Sequence, residues 1–179
     1  MLRDALLDLE AAWVARGAPV SDLLAPGLEQ AQVRESLDRW RAVPDDLIVW
    51  FGWHDGSRPG VPAWQLAPSA WSHFSLSDVI AEHDVALQVA EDLVGWADEG
   101  FGWSDSWIPF IGIREDVLAI DGLTGQIVRG NLGDPDRFGD VVAPDIETLI
   151  RTWLTALDSG YGNFRWDARG FWDMDWLTV

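Results

Sequence analysis

Trp107-Ile108-Pro109-Phe110-Ile111-Gly112-Ile113, then Asp116-Val117-Leu118-Ala119-Ile120-Asp121, the turn Gly122-Leu123-Thr124-Gly125 and the run Gln126 to Gly130 form the stretch on which the fold turns. The two apolar runs are short and rich in residues that suit a pleated surface, and the glycine-bounded turn between the second run and its successor predicts antiparallel strands. Asp121, at a strand end, is read as a turn-shaping residue, because a short carboxylate accepts hydrogen bonds from nearby backbone N–H groups. Downstream the period changes. From Pro144, the residues Ile146, Leu149, Ile150, Trp153, Leu154 and Leu157 recur at i, i+3 and i+4, which predicts an amphipathic helix packed on the sheet.

Upstream of the strands the pattern is helical. Leu2, Leu6, Leu9 and Trp13 predict a first helix ending near Gly17 and Pro19, and Leu28, Val33, Leu37 and Trp40 predict a second. Pro44 suits the first turn of a third helix, where its missing N–H has no partner to lose. Asp45 and Asp46 lie at the positive end of that helix, Leu47, Ile48, Trp50 and Phe51 form its apolar face, and Gly56 marks its end. The stretch from Ser57 to Pro68 reads as a loop leading into a short strand near Ala63 to Leu66. Ser75 or Ser77 caps the next helical run, which continues to Val94. In the tail from Gly160 to Val179, Phe164, Trp166, Phe171, Trp172 and Trp176 among turn residues predict one or two closing strands. The order of elements gives an α+β fold, a mostly antiparallel sheet covered on one side by helices. One domain is expected, with residues 1–27 as a helical extension before a domain at 28–179.

Composition narrows the chemistry. There is no cysteine, hence no thiol nucleophile, disulfide or thiolate metal site. All 12 basic residues are arginine, so neither a Schiff-base lysine nor the lysine of a phosphate-binding loop is present. No apolar run approaches the length of a membrane span and the first residues lack a signal-peptide pattern, so a cytoplasmic protein is expected. The formal net charge of −18 disfavours nucleic acid and anionic membranes as partners and favours a basic protein. No arginine occurs from Pro59 to Ile113, where Asp78, Glu82, Asp84, Glu91, Asp92, Asp98, Glu99 and Asp105 all fall. If they share a face, they attract a cationic partner at long range; otherwise they are a solvated surface that maintains solubility.

Four patterns in fixed order resemble the SUKH superfamily, which includes the fungal cell-wall synthesis regulator and many bacterial immunity proteins. They are Val43-Pro44-Asp45-Asp46-Leu47 with His54-Asp55-Gly56, Trp107-Ile108-Pro109-Phe110, Leu118-Ala119-Ile120-Asp121-Gly122, and Ala143-Pro144-Asp145-Ile146-Glu147. The resemblance covers roughly residues 28–158. Val43 stands where the family has leucine, and Asp145-Ile146 where it favours Ser-Phe, changes that keep the helix-start and apolar chemistry. The resemblance implies a non-catalytic binding protein with no cofactor, and makes Pro44, Asp55, Gly56, Trp107, Pro109, Asp121 and Pro144 family positions of structural role.

Catalytic and metal constellations are weak by comparison. His54, His73 and His83 lack zinc-site spacing, and His54-Asp55 is a helix-ending turn or, as the sharper alternative, a catalytic pair. Asp134, Asp136 and Asp140 offer oxygen ligands without the glycine and closing glutamate of a calcium loop, so a solvated acidic loop is expected and no metal. Gly102-Trp103-Ser104-Asp105-Ser106 ends in serine where a nucleophile elbow needs glycine, and reads as a loop. Among the 13 tryptophans, Trp50 and Trp153 lie on apolar helical faces and are expected in the core. Trp103, Trp107, Trp172 and Trp176, beside acids and glycines, are expected to be exposed. The expected partner contacts are Trp103, Asp105, Trp107, Asp134, Asp136 and Asp140, placed to occlude a basic toxin such as a nuclease. Two alternatives stand beside immunity: a regulatory scaffold of the cell-wall-regulator type, and a carbohydrate-binding module in which Asp105, Asp173 and Asp175 accompany the tryptophans.

Overall fold

The computed structural model describes residues 1–60, 71–92, 102–113, 116–131 and 138–159. In chain order these form α1 (Leu2–Ala15), α2 (Val20–Leu23), α3 (Gln30–Ser36), α4 (Asp45–Trp53), β1 (Ser72–His73), α5 (Leu76–Asp92), β2 (Trp107–Ile113), β3 (Asp116–Asp121), β4 (Ile127–Asn131), β5 (Val141–Ala143) and α6 (Ile146–Asp158). The strands pair antiparallel in the order β1-β2-β3-β4-β5, each beside its sequence neighbour, so the fold is α+β with a meandering antiparallel sheet. The expected strand near Ala63 to Leu66 and the closing strands after Gly160 lie outside the described residues.

The sheet follows from its sequence with one irregularity. Register shifts between Pro109 and Ile111 where β2 meets β3, at the residue that has no N–H to give to the ladder. Val117, Leu118, Ala119 and Ile120 are all buried. A strand buried at consecutive positions is covered on both faces, so at β3 the cover extends beyond the one-sided arrangement expected.

The helices stop and start where their chemistry directs. Asp145 caps α6, its carboxylate accepting from the Thr148 N–H at 2.7 Å, and Ile146, Leu149, Ile150, Trp153 and Leu157 turn inward. Ser75, rather than Ser77, heads α5: its hydroxyl accepts from the Asp78 N–H at 3.2 Å while Asp78 accepts from the Ser75 N–H at 2.9 Å, a reciprocal cap. The second predicted helix ends early, at Ser36, as the chain tightens into a turn in which the Trp40 N–H donates to the Leu37 carbonyl; Leu37 and Trp40 remain buried.

Residues 1–27 are integral to the core rather than appended to it. Leu2, Ala5, Leu6, Leu9 and Trp13 join the same buried cluster as the sheet. α1 lies parallel to α6: the Met1 amino nitrogen is 3.4 Å from Glu147 Oε1, and Arg16 Nη2 donates to the Leu157 carbonyl at 2.8 Å. Among the described residues, no helix is long and apolar enough to cross a membrane.

Candidate functional site

Several of the positions singled out by the resemblance join one element to another. Pro44 is the N-cap of α4, and the Asp46 carboxyl one turn on lies against the N–H of Ile146 at the head of α6. Burial raises the Asp46 pKa, and Asp145, Glu147 and Asp45 raise it further, against the opposing pull of the Ile146 N–H. Asp55 Oδ1 accepts from the Leu76 N–H at 2.8 Å, linking the end of α4 to the start of α5. Gly56 has φ +70° with its Cα against the Phe74–Ser75 backbone, a position closed to any side chain. Pro109 is buried in β2, and Pro144 is an exposed residue leading into the α6 cap.

Asp121 does what its position predicts. Its carboxylate accepts from Ser106 Oγ at 2.8 Å, the Leu123 N–H at 3.0 Å and Thr124 Oγ1 at 2.8 Å. Partial burial alone would raise its pKa, but these three donors outweigh that and hold it below the ordinary carboxylate range. The turn is thereby tied to the loop before β2.

The catalytic alternative at His54-Asp55 has no geometric support. His54 Nδ1 donates to the Ala25 carbonyl at 2.7 Å, its Nε2 stands 3.6 Å from Glu10 Oε2, and Asp55 is engaged at α5. Among the described residues no three His, Asp or Glu side chains could together hold a metal ion.

The predicted contact residues divide. Trp103 is 7% exposed, a correction to its expected exposure: the indole lies over Gly130 of β4, where any Cβ would strike its ring. The missing side chain at Gly130 is what admits it. Trp107 is half-buried, its ring centroid 5.5 Å from those of both Trp103 and Phe138. Asp105 and Asp140 are exposed, whereas Asp134 and Asp136 lie outside the described residues, as do Asp173, Asp175, Trp172 and Trp176.

Asp105 does enter a larger feature. A cleft of about 380 Å³ opens between the Arg39–Ala42 segment, the Ser104–Ser106 loop and the Gly122-Leu123 turn. Its walls are tied together: the Gly122 N–H donates to the Ser106 carbonyl at 2.8 Å, and Gly122 approaches Ala42 so closely that a Cβ would lie 2.5 Å from its carbonyl oxygen. Arg39 is held by two hydrogen bonds to Asp84, at 2.6 and 3.4 Å, with its guanidinium carbon 5.1 Å from the centre of the Trp40 ring. Arg39, Trp40, Arg41 and Leu123 were not among the predicted contacts. The charge argument searched for acids, and an arginine-bearing segment gave it no signal.

Behind the cleft, His83 of α5 is 4% exposed and edge-on to Trp40, with ring centroids 5.0 Å apart. Its Nδ1 stands 3.8 Å from Asp84 Oδ1, too far for a well-formed hydrogen bond. Burial lowers the His83 pKa and nearby Arg39 lowers it further, against Asp84 and the Asp105 backbone.

α5 continues the surface away from the cleft. Its inner positions Leu76, Val79, His83, Ala86 and Ala90 are buried. Asp78, Asp84 and Glu91 are exposed, Glu82 is partly so, and Val85 is 54% exposed. At 100° per residue Asp84 and Glu91 lie on one flank of the outer face and Asp78 and Glu82 on the other, with the exposed Ser77, Ala81 and Gln88 along its crest and Val85 toward the Asp78 side. Burial and then Asp78 raise the Glu82 pKa, and among the described residues no arginine pairs with Glu82 or Glu91. No family model matches this chain, and no similar curated protein was found.

Proposed function

We propose that this chain is a non-catalytic, cytoplasmic protein-binding domain of the SUKH type, an immunity protein that neutralises a basic toxin domain by covering it. The observation that carries this reading is the outer face of α5. Asp84 and Glu91 lie along one flank and Asp78 and Glu82 along the other, among the described residues only Asp84 of the four is paired with an arginine, and no arginine occurs from Pro59 to Ile113. Repulsion along a flank, as where Asp78 raises the Glu82 pKa after burial, is relieved by a cationic partner, which gains both in steering and in contact. The joints at Asp46, Asp55 and Asp121 support the SUKH reading, since three of the four patterns supply a contact between elements.

The test begins with capture from lysate of the source organism at low salt. The captured protein is then expressed in a sensitive host with and without this chain. A basic toxin released by raised salt, whose lethality this chain suppresses, is the expected result. Asp78→Asn with Glu82→Gln and Glu91→Gln should weaken suppression. Capture of signalling or wall-synthesis proteins with no toxicity to suppress would overturn immunity in favour of the scaffold, and salt-independent capture would overturn the charge mechanism.

A further inference from the structure

Glu10 of α1 faces the end of α4 through one oxygen that has two neighbours. Glu10 Oε2 accepts from Trp53 Nε1 at 2.9 Å and lies 3.6 Å from His54 Nε2. On its other side the His54 ring is committed. Nδ1 meets the Ala25 carbonyl at 2.7 Å, and a carbonyl oxygen only accepts, so Nδ1 carries the proton. In the neutral imidazole Nε2 is therefore a bare lone pair. It is buried without a hydrogen-bond partner, and the carboxylate oxygen it faces has only lone pairs to offer. A buried acceptor set against an acceptor is an unfavourable meeting that a single proton reverses.

We propose that His54 is a proton-operated latch between α4 and α1: when it takes up a proton, Nε2 donates to Glu10 and the two facing acceptors become a charge-assisted pair. The contact then shortens from 3.6 Å toward about 2.8 Å, the usual length for a cationic N–H on a carboxylate. The titratable groups that face His54 are Glu10 from α1 and His73 from β1, while the segment at Ala25 presents its backbone carbonyl. Asp55 is turned to the Leu76 N–H, and Arg58 to the Ser21 and Leu24 carbonyls. The proton goes to His54 rather than to His73, which is 2% exposed within its tryptophan cage and is further disfavoured as a cation by His54. The two histidines thus answer acid in opposite senses. The latch is closed while His54 is protonated and Glu10 ionised, and opens as the pH rises; His73 contributes at high pH and loses its contribution as the pH falls.

Glu10→Gln tests this, because the amide keeps an oxygen for Trp53 Nε1 and turns an N–H donor toward the bare Nε2. The variant therefore pairs with neutral His54 and forgoes the attraction to its cation. The expected result in urea unfolding is a crossing. Relative to the unaltered chain, the variant's midpoint rises by roughly 0.3–0.5 M near pH 8 and falls by a similar amount near pH 5.5, the span over which an imidazole changes charge. In the unaltered chain carrying isotope-labelled histidine, NMR over the same span should find the His54 Nδ1 proton in place throughout and a second, slowly exchanging proton gained on Nε2. Parallel pH profiles for the two chains, displaced or coincident, overturn the latch, because a merely structural contact gives a shift of one sign at both pH values. A proton already on Nε2 near pH 8 overturns it as well.

Discussion

Two buried histidines, each caged by tryptophan, divide the molecule into a sealed half and an open one. His73 of β1 stacks on Trp50, with centroids 5.0 Å apart and planes 11° from parallel, and Trp13 and Trp53 close round it at 5.8 Å. His83 of α5 meets Trp40 edge-on, and on the far side of that indole lies the cleft. The same residue types make a core in one place and the back wall of a surface pocket in the other. The difference lies in what surrounds them. The His73 cage joins α1, α4, β1 and β2, whereas the His83 cage is bounded by an acidic helix, a loop and a hairpin turn.

The sealed half should break hardest. Trp50→Ala removes an indole that is 1% exposed and contacts Trp53, His73 and Phe110, and should cost about 3–5 kcal/mol in urea unfolding. Next comes pH. Burial, then the neighbouring His54, push the His73 pKa down to about 3. Between that value and its unfolded value the unfolded chain binds the extra proton, so His73 contributes its full stability above the unfolded pKa. That contribution falls as pH drops from there toward about 3, by up to about 1.4 kcal/mol per pH unit. His73→Phe keeps a ring in the stack and should flatten the difference in urea midpoint between neutral and acid pH. An unchanged acid slope would mean the proton is taken up elsewhere.

The open half should respond more weakly. Asp121→Ala strips the turn of three acceptor bonds and should cost about 1–2 kcal/mol by the same unfolding measurement. It should also loosen the cleft, detectable as faster amide exchange at Leu123. Arg39→Ala, which removes an exposed ion pair, should move stability by less than about 1 kcal/mol. A larger loss there than at Trp50 would reverse the division between the halves.

The sealed half was the more legible in sequence. Leu6, Leu9, Trp13, Leu47, Trp50 and the β3 run announce themselves by period, because burial selects apolar residues at the repeat of the element. β1 and β5, at two and three residues, are too short to carry a period; they exist because a neighbouring strand accepts them. Trp103 was misread because its local sequence is polar, while its burial depends on Gly130, distant in the chain, lacking a side chain. The cleft was invisible for the same reason. Its three walls come from Arg39–Ala42, Ser104–Ser106 and Gly122-Leu123, and nothing in any one segment signals the other two. The acids of α5 were legible as a run without arginine, but their division between the two flanks of its outer face needed the helix to be placed against β2.

The parallel clasp of α1 on α6 has a consequence for how the molecule comes into being. Arg16 holds the Leu157 carbonyl, so α1 is secured by a segment made 141 residues after it. At a synthesis rate of 5–20 residues per second, α1 waits on the order of ten seconds for that partner, the side that α6 covers still open although Trp13 can already meet Trp53 of α4. During that interval the side of α1 that α6 will cover is apolar surface of the kind chaperones hold.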